Sequence, residues 1–233
     1  MIGRFLELGI VSADPGAAWM QLQELGFASA NTGDVWNHAY GVAACEGLAI
    51  GIHGAGEEAL CLYFVRPDVA ALHRELTALG VAIEAARLGS DVFNELTLRE
   101  PGGVAIRVIE ARSFSPPVEM PTNTALGIFR AISLPCVDLE AVRSFWERLG
   151  VVVHDTEDPW EGVAMPGLLL SYHLRSSFRE MALLFTASEH ADEKKLHGAG
   201  VALGKPVPSL RARQHWPVRG PEGLAMIVLG DEA

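Results

Sequence analysis

The sequence of 233 residues combines 49% apolar residues with 20% charged residues and a formal net charge of −11. An apolar share of this size supports a packed core and excludes an intrinsically disordered chain. The acidic balance argues against nucleic acid and anionic membranes as partners, because both select clustered Lys and Arg.

The first predicted element is a strand over residues 5–11, in which apolar side chains alternate. Alternation places two sets of residues on opposite faces of this strand. The set predicted to face the core is Leu6, Leu8 and Ile10, and the opposite set is Phe5, Glu7, Gly9 and Val11.

A helix follows, from Pro15 to about Leu25. Asp14 is a good N-cap, because its carboxylate can accept a hydrogen bond from a free amide of the first turn. Gly26, twelve residues after Asp14, suits the left-handed residue that ends many helices. The unit continues with a short strand over 27–32 and a hairpin of strands 38–45 and 48–53 that turns at Glu46-Gly47.

The same spacing of twelve residues between a cap and a glycine recurs three times. It joins Asp68 to Gly80, Asp138 to Gly150, and Ser188 to Gly200. Each recurrence predicts another strand, helix and three strands. The predicted strands of the later units are 60–65, 82–88, 93–99, 104–110, 131–137, 151–155, 163–164, 168–174, 181–186, 211–217 and 224–229.

The two halves of the chain are predicted to be a tandem duplication of α+β class. Residues rich in Ser, Pro and Thr predict a linker over 113–125. The first domain comprises residues 1–112, as units 1–56 and 57–112, and the second comprises 126–233. The second domain divides in turn into units 126–177 and 178–233.

This arrangement resembles the vicinal oxygen chelate superfamily, which includes glyoxalase I, extradiol dioxygenases and bleomycin resistance proteins. The four cap-to-glycine units carry the resemblance, together with the turns at 100–103 and 220–223 that precede the last strand of each half. The resemblance implies that each pair of units curls into a cup, and that a divalent metal often lies in it. Its ligands are His, Glu or Gln on the first strand of each unit and Glu on the last strand.

Carried onto this sequence, the first-strand positions are Glu7, Cys61, Ala131 and Met181, and the last-strand positions are Arg107 and Ile227. The corresponding strand of each leading unit gives Gly51 and Ser171. None of the second-domain residues suits a hard metal ion, and an arginine repels a dication. We therefore expect no metal cofactor in either half. We also expect Leu183 and Phe185 to face the second cup, which would make the second domain mainly structural or a lid over the first.

In the first cup, Arg107 is predicted to replace the ion and to bind an anionic group. Glu7 could act as a base and His53 could transfer a proton near neutral pH. Cys61 and Tyr63 are predicted to line the same site. One alternative is a Glu7–Arg107 ion pair that fills the cup without function, and another is an atypical metal site of Glu7, His53 and Cys61.

Two further groups are candidates for ligand contacts. The stretch Trp36-Asn37-His38-Ala39-Tyr40 precedes and enters a strand. Its aromatic side chains, with His38, could form a rim that stacks on a flat ligand, or they could only anchor the start of the strand. Arg211, Arg213 and His215 alternate along a predicted strand, either as a second anion site or as a solvated edge.

The spacing of Cys45, Cys61 and Cys136 forms no zinc or CxxC motif and favours a reducing cytoplasm. We expect no signal peptide, because no basic segment followed by an apolar stretch stands before the first predicted strand. The hypothesis favoured by the sequence is a cytoplasmic, metal-independent protein, monomeric or homodimeric, that binds a small anionic or aromatic molecule. The alternative is an enzyme, either a metal-free lyase or isomerase using Glu7 and His53, or an atypical glyoxalase- or dioxygenase-like metal enzyme.

Overall fold

The computed structural model describes residues 2–30, 38–56, 58–111, 120–187, 196 and 203–230. It contains two mixed β-sheets with helices, in agreement with the predicted two-domain α+β fold. Within these described ranges, no helix is long and apolar enough to cross a membrane.

The first sheet has eight strands in the order β2-β3-β4-β1-β5-β8-β7-β6. β1 runs parallel to β4 and antiparallel to β5, and β5 runs parallel to β8. The order of the strands therefore repeats in mirror sense on either side of the β1–β5 pair. The elements are β1 Arg4–Val11, α1 Pro15–Glu24, β2 Ala28–Ala30, β3 Tyr40–Cys45, β4 Leu48–His53, β5 Leu60–Arg66, α2 Val69–Ala78, β6 Ala85–Arg87, β7 Glu95–Arg99 and β8 Ala105–Glu110.

The second sheet has seven strands in the order β10-β11-β12-β9-β13-β15-β14. Short 3₁₀ turns lie at Pro166–Leu168, Pro208–Leu210 and Pro221–Gly223. The predicted fourth helix falls outside the described residues, apart from the buried Leu196. The elements are β9 Ile128–Cys136, α3 Leu139–Arg148, β10 His154–Thr156, β11 Gly162–Met165, β12 Leu170–Leu174, β13 Ala182–Thr186, β14 His215–Arg219 and β15 Ala225–Leu229.

The aspartates predicted as N-caps do cap the three described helices. Asp14 accepts from the amide of Ala17, and Asp68 accepts from the amide of Ala71. Asp138 accepts from the first-turn amides of α3. Each such cap stabilises its helix by about 1 kcal/mol. The glycines that end these helices, Gly26, Gly80 and Gly150, have positive φ.

One apolar core fills the space between the two sheets. It includes the edge-to-face pair Phe27 and Phe185, with ring centroids 6.3 Å apart, and the pair Phe64 and Trp146 at 6.2 Å. Separate small clusters lie on the other face of each sheet. Each sheet therefore turns one face to the shared core and the other to its own cup.

In two strands, β1 and β13, side chains predicted on one face of the sheet lie on the other. A β-bulge between Phe5 and Glu7 turns Phe5 onto Phe64 in the core and Leu6 onto the cup cluster. A bulge inserts one residue and so reverses the alternation beyond it. In β13, Leu183 and Phe185 belong to the core.

The second-domain position equivalent to Cys61 is Ala182 rather than Met181. Cys61 pairs with Ala105 on β8, and Ala182 makes the corresponding pair with Ala225 on β15. Ala182 and Leu184 face the second cup. The first-strand position counted back from Ser188, Met181, is therefore one residue too early in the sequence.

The strand predicted over 211–217 is also wrong in its first half. The chain makes a 3₁₀ turn at Pro208–Leu210 and a further turn before β14 starts at His215. Arg213 pairs with Asp158 and donates to the carbonyl of Gly230. Arg211, Arg213 and His215 therefore share no strand face. Arg213 stabilises this turn through its ion pair and its hydrogen bonds.

The described part of the predicted linker is hydrogen-bonded to the first half of the chain, at the β3–β4 turn and at the end of α1. The Pro121 carbonyl accepts from the amide of Glu46 at 3.0 Å, and the Ala125 amide donates to Leu25 at 2.8 Å. Residues 112–119 lie outside the described residues. The domain limits stay a prediction.

Candidate functional site

The floor of the first cup depends on two glycines. A Cβ at Gly51 would lie 2.3 Å from the carboxyl carbon of Glu7, and one at Gly9 would lie 2.4 Å from the Tyr63 ring. Gly9 and Gly51 are paired neighbours on the parallel strands β1 and β4. Their missing side chains leave the room that the Glu7 carboxylate and the Tyr63 ring occupy.

Glu7 is held by two hydrogen bonds beneath the cup surface. Its Oε2 accepts from the Tyr40 hydroxyl at 2.5 Å, and its Oε1 lies 3.1 Å from His53 Nε2. Glu7 is 1% exposed and His53 is 2% exposed. A carboxylate in such surroundings is stable only because hydrogen bonds replace its lost hydration.

A second imidazole extends this pair towards the surface. His38 Nε2 lies 3.1 Å from His53 Nδ1. Unlike His53, His38 is half-buried. Partial burial lowers the pKa of His38 below its ordinary value, and the neighbouring His53 lowers it further. His38 is therefore mainly neutral at pH 7.

Tyr63 lies between this pair of imidazoles and Arg107. Its ring stacks on His53 with centroids 5.2 Å apart and planes 18° apart. It is hydrogen-bonded to Arg107, its paired neighbour on β8. Burial raises the pKa of Tyr63, so the phenol keeps its proton at neutral pH.

Cys61 contributes a neutral thiol to the same face. It is 3% exposed, and burial raises its pKa to about 12. It packs with Tyr63, Ala105 and Leu6. A protonated thiol is neither a strong nucleophile nor a metal ligand.

Arg107 brings the positive charge of this cup face. It is half-buried and pairs with Tyr63 on one side and Thr97 on the other. Its charge also acts on Glu58, whose pKa is lowered first by a hydrogen bond from Arg99 and further by Arg107.

The residues at the positions that the resemblance assigns to a metal do not fit a divalent ion. Both oxygens of Glu7 already accept hydrogen bonds, and Gly51 has no side chain. The charge of Arg107, which also acts on Cys61, repels a dication. In the part of the chain that the structure describes, no three His, Cys, Asp or Glu side chains are grouped so that they could hold an ion.

The second cup is filled by its own side chains. Trp160 stacks on Phe178 with centroids 5.3 Å apart and lies 4.5 Å from His173. His173, 1% exposed, lies between Ser133 Oγ at 2.7 Å and the carbonyl of Phe178 at 3.0 Å. Apolar side chains and the hydrogen-bonded His173 occupy most of this cup, while the buried Ser171 Oγ on the same strand face has no hydrogen-bond partner among the described residues. A mainly structural role of the second cup stays a prediction.

The structure thus brings most of the predicted site residues together on one cup face. Glu7, His53, His38, Tyr63, Cys61 and Arg107 share it, whereas Trp36 lies outside the described residues. Tyr40 belongs to the stretch predicted as an aromatic rim, but its hydrogen bond to Glu7 was not predicted. The hairpin register around Glu46-Gly47 pairs Tyr40 with His53 and could have indicated it.

No protein-family model matches the sequence, and no curated protein matches it. Solved structures are nevertheless similar over almost the whole chain. Homoprotocatechuate 2,3-dioxygenase from Arthrobacter globiformis has a TM-score of 0.62 at 13% identity, over 99% of this chain and 80% of that one.

Two other solved structures give the same result. The Mn(II)-bound glyoxalase from Novosphingobium aromaticivorans has a TM-score of 0.61 at 11% identity, over 97% of this chain and 81% of that one. A catechol 2,3-dioxygenase has a TM-score of 0.56 at 15% identity, over 98% of this chain and 93% of that one. The chain therefore has the fold of extradiol dioxygenases and glyoxalases, which confirms the resemblance at the level of fold.

Proposed function

We propose that the protein binds a small anionic molecule in the first cup and that this binding needs no metal ion. The observation that supports it most directly is the position of Arg107. It is half-buried on the cup face, next to the buried phenol of Tyr63 that it contacts. A guanidinium held in this way presents planar donors that match a carboxylate or a phosphate.

The groups around Arg107 favour an anion over a cation. Tyr63 and Cys61 are both neutral at pH 7, because burial raises the pKa of each. The negative charge of Glu7 is covered, since Tyr40 and His53 hydrogen-bond to its two oxygens. Glu58, the anion on which Arg107 also acts, forms an ion pair with Arg99. The positive charge of Arg107 beside the neutral Tyr63 and Cys61 therefore favours an anion, and the ring of Tyr63 offers a flat apolar contact.

A second candidate function, a metal-free lyase or isomerase, is favoured by the contact between Glu7 and His53. Acid–base catalysis needs a titratable group held by an orienting partner, and this pair provides both. The atypical metal enzyme receives no such support, because in the described residues no three metal-ligating side chains are grouped together, and the charge of Arg107 acts on Cys61.

Calorimetric titration with benzoate and with inorganic phosphate tests the binding proposal. Benzoate combines a flat ring with a carboxylate, and benzamidinium is a cationic probe of nearly the same shape. We expect an anion to bind and benzamidinium to fail. Arg107→Ala should weaken anion binding ten- to hundredfold, or about 1.4–3 kcal/mol, which is the usual range for a charged hydrogen bond.

Arg219→Ala is the matched control, because Arg219 is an exposed arginine of the second domain, far along the chain from the first cup. There it forms an ion pair with Glu180 of the same domain. Its anion affinity should equal that of the unmodified chain. Affinity unchanged in Arg107→Ala, or no binding of either anion, would contradict the proposal. Stoichiometric uptake of Mn²⁺ or Zn²⁺ in equilibrium dialysis, lost in Glu7→Ala, would contradict its independence of metal.

A further inference from the structure

A row of small side chains crosses the floor of the second cup. Residues that pair directly across neighbouring strands lie on the same face of a sheet. In the order of the strands β11, β12, β9, β13 and β15, the row consists of Ala164, Ser171, Ser133, Ala182 and Ala225. Ala182 and Ala225 belong to the apolar cluster of the second cup, so the whole row faces that cup.

The two serines of this row stand where the first cup has its two floor glycines. Ser133 pairs with Ser171 across the parallel strands β9 and β12, as Gly9 pairs with Gly51 across β1 and β4. Two hydroxyl groups therefore lie side by side at a level where the first cup has no side chain. Neighbouring strands are about 4.8 Å apart, so one small group can reach both hydroxyls.

The side chains that fill the floor of the first cup have small or aliphatic equivalents in the second. Glu7 and Tyr63, which lie in the room left by the glycines, pair with one another across β1 and β5. The corresponding pair across β9 and β13 is Ala131 and Leu184. A methyl group thus replaces the carboxylate, and an aliphatic side chain replaces the phenol ring. The two serine hydroxyls therefore lack the polar neighbours that the same places have in the first cup.

Ser171 has an unused hydrogen-bonding group. Its neighbours along the strand, Leu170 and Tyr172, belong to the shared core, so the alternation of β12 turns Ser171 towards the cup. The residue is 7% exposed, and its Oγ meets no hydrogen-bond partner in the part of the chain that the structure describes. Buried hydroxyl groups are almost always hydrogen-bonded, so this one points to a partner from outside the chain.

Ser133 offers a complementary acceptor. His173 Nε2 lies 3.0 Å from the carbonyl of Phe178, which only accepts, so this nitrogen carries the proton. In that neutral imidazole Nδ1 is the acceptor, and Ser133 Oγ donates to it at 2.7 Å. The oxygen of Ser133 keeps its lone pairs for a further donor, whereas the hydroxyl of Ser171 can donate and accept. A hydroxyl group matches both serines, but a carbonyl group, which only accepts, matches Ser171 alone.

We propose that Ser171 and Ser133 form a ligand site for the hydroxyl group of a small uncharged alcohol. The ligand hydroxyl accepts from Ser171 Oγ and donates to Ser133 Oγ. Its alkyl group packs against the methyl group of Ala164, which pairs with Ser171 and is the most exposed residue of the row. This apolar contact favours an alcohol over water, and the uncharged row disfavours an ion. The site lies in the other domain from Arg107 and does not rest on the proposed anion binding.

A comparison of 2-propanol with acetone tests the site, because the two molecules have nearly the same shape and differ in carrying a hydroxyl or a carbonyl group. Each is titrated into the whole ¹⁵N-labelled chain, and NMR follows the amides of Ser133 and Ser171. We expect 2-propanol to shift both amides in a saturable way and to bind about tenfold more tightly than acetone. Equal affinities, or shifts that rise without saturation, would overturn the proposal.

Ser171→Ala removes the unpaired hydroxyl and adds no volume to the row. Its affinity for 2-propanol should fall about tenfold, to the level of acetone. Its unfolding midpoint should not fall, because no hydrogen bond among the described residues is lost. Ser176→Ala, at an exposed serine after the same strand, is the matched control and should keep the affinity. An unchanged affinity in Ser171→Ala would contradict the site. Ser171→Gly, with the residue of the first cup, gives the same test if Ser171→Ala fails to fold.

A crystal structure obtained in 2-propanol distinguishes the alcohol from water. We expect its oxygen between Ser171 Oγ and Ser133 Oγ, and its alkyl group at Ala164. A water molecule alone at this place would overturn the alcohol as the ligand. So would an alcohol seen in the crystal without a saturable shift in solution, which is binding at crystal concentration only. Benzoate affinity should be the same in Ser171→Ala as in the unmodified chain, so this site and the anion site of the first cup are tested separately.

Discussion

His173 should make the protein sensitive to mild acid. It is 1% exposed, and burial lowers its pKa to about 4 from the ordinary value of 6.5. In the unfolded chain the same imidazole takes up its proton near pH 6.5. Protonation therefore favours the unfolded state, and the stability that neutral His173 contributes above pH 6.5 is lost as the pH falls towards 4.

The difference between the two pKa values sets the magnitude. A fall from 6.5 to about 4 corresponds to about 3 kcal/mol once both states are protonated. By pH 4.5 the expected loss is about 2.5 kcal/mol, because the folded state has begun to bind the proton as well. This is a large part of the 5–15 kcal/mol that is usual for a folded domain.

Denaturant unfolding at a series of pH values from 7.5 to 4.5 measures this loss. In His173→Gln the amide can still accept from Ser133 and donate to Phe178 but does not titrate. The stability advantage of the unmodified chain over His173→Gln should shrink by about 2.5 kcal/mol across the series. His154→Gln, at an exposed position, should show no such change. An advantage that stays constant within about 0.5 kcal/mol would refute the argument from burial.

Two further predictions concern the cup floor and the contact between the sheets. Gly51→Ala places a Cβ 2.3 Å from the Glu7 carboxyl group and should destabilise by about 1–3 kcal/mol. Gly167→Ala, with no atom within 4 Å, should stay within about 0.5 kcal/mol in the same unfolding assay. Burial raises the pKa of Glu100, which contacts Tyr172 across the sheets. Stability should therefore fall as the pH rises above 4.5, and Glu100→Gln should remove this dependence on pH. A parallel decline in both proteins would contradict the argument.

The fold was predictable because its signals are local. Asp14, Asp68 and Asp138 cap helices in the structure as their chemistry requires. Gly47 turns the hairpin with a φ of +80°, a conformation that disfavours other residues. The regular spacing of these positions predicted the duplication, and the two sheets have corresponding strand orders.

Side-chain facing was less predictable, because a single inserted residue reverses it. The bulge beside Glu7 turned Phe5 into the core, and nothing in the alternation of β1 indicates a bulge. In β13 both faces are apolar, so the pattern could not distinguish Leu183 from Leu184. Register against a neighbouring strand decides such cases, and register is a property of the assembled sheet.

For the candidate site, the sequence by itself determined which residue types stand at the cup positions, including Arg107 where the resemblance implies a glutamate. Only the tertiary structure decided how they interact. Gly51 belongs to the strand beside β1, and its missing side chain lets Glu7 bend onto His53. That contact joins residues 46 positions apart. No local pattern encodes it, because its geometry arises only when three strands are packed at one register.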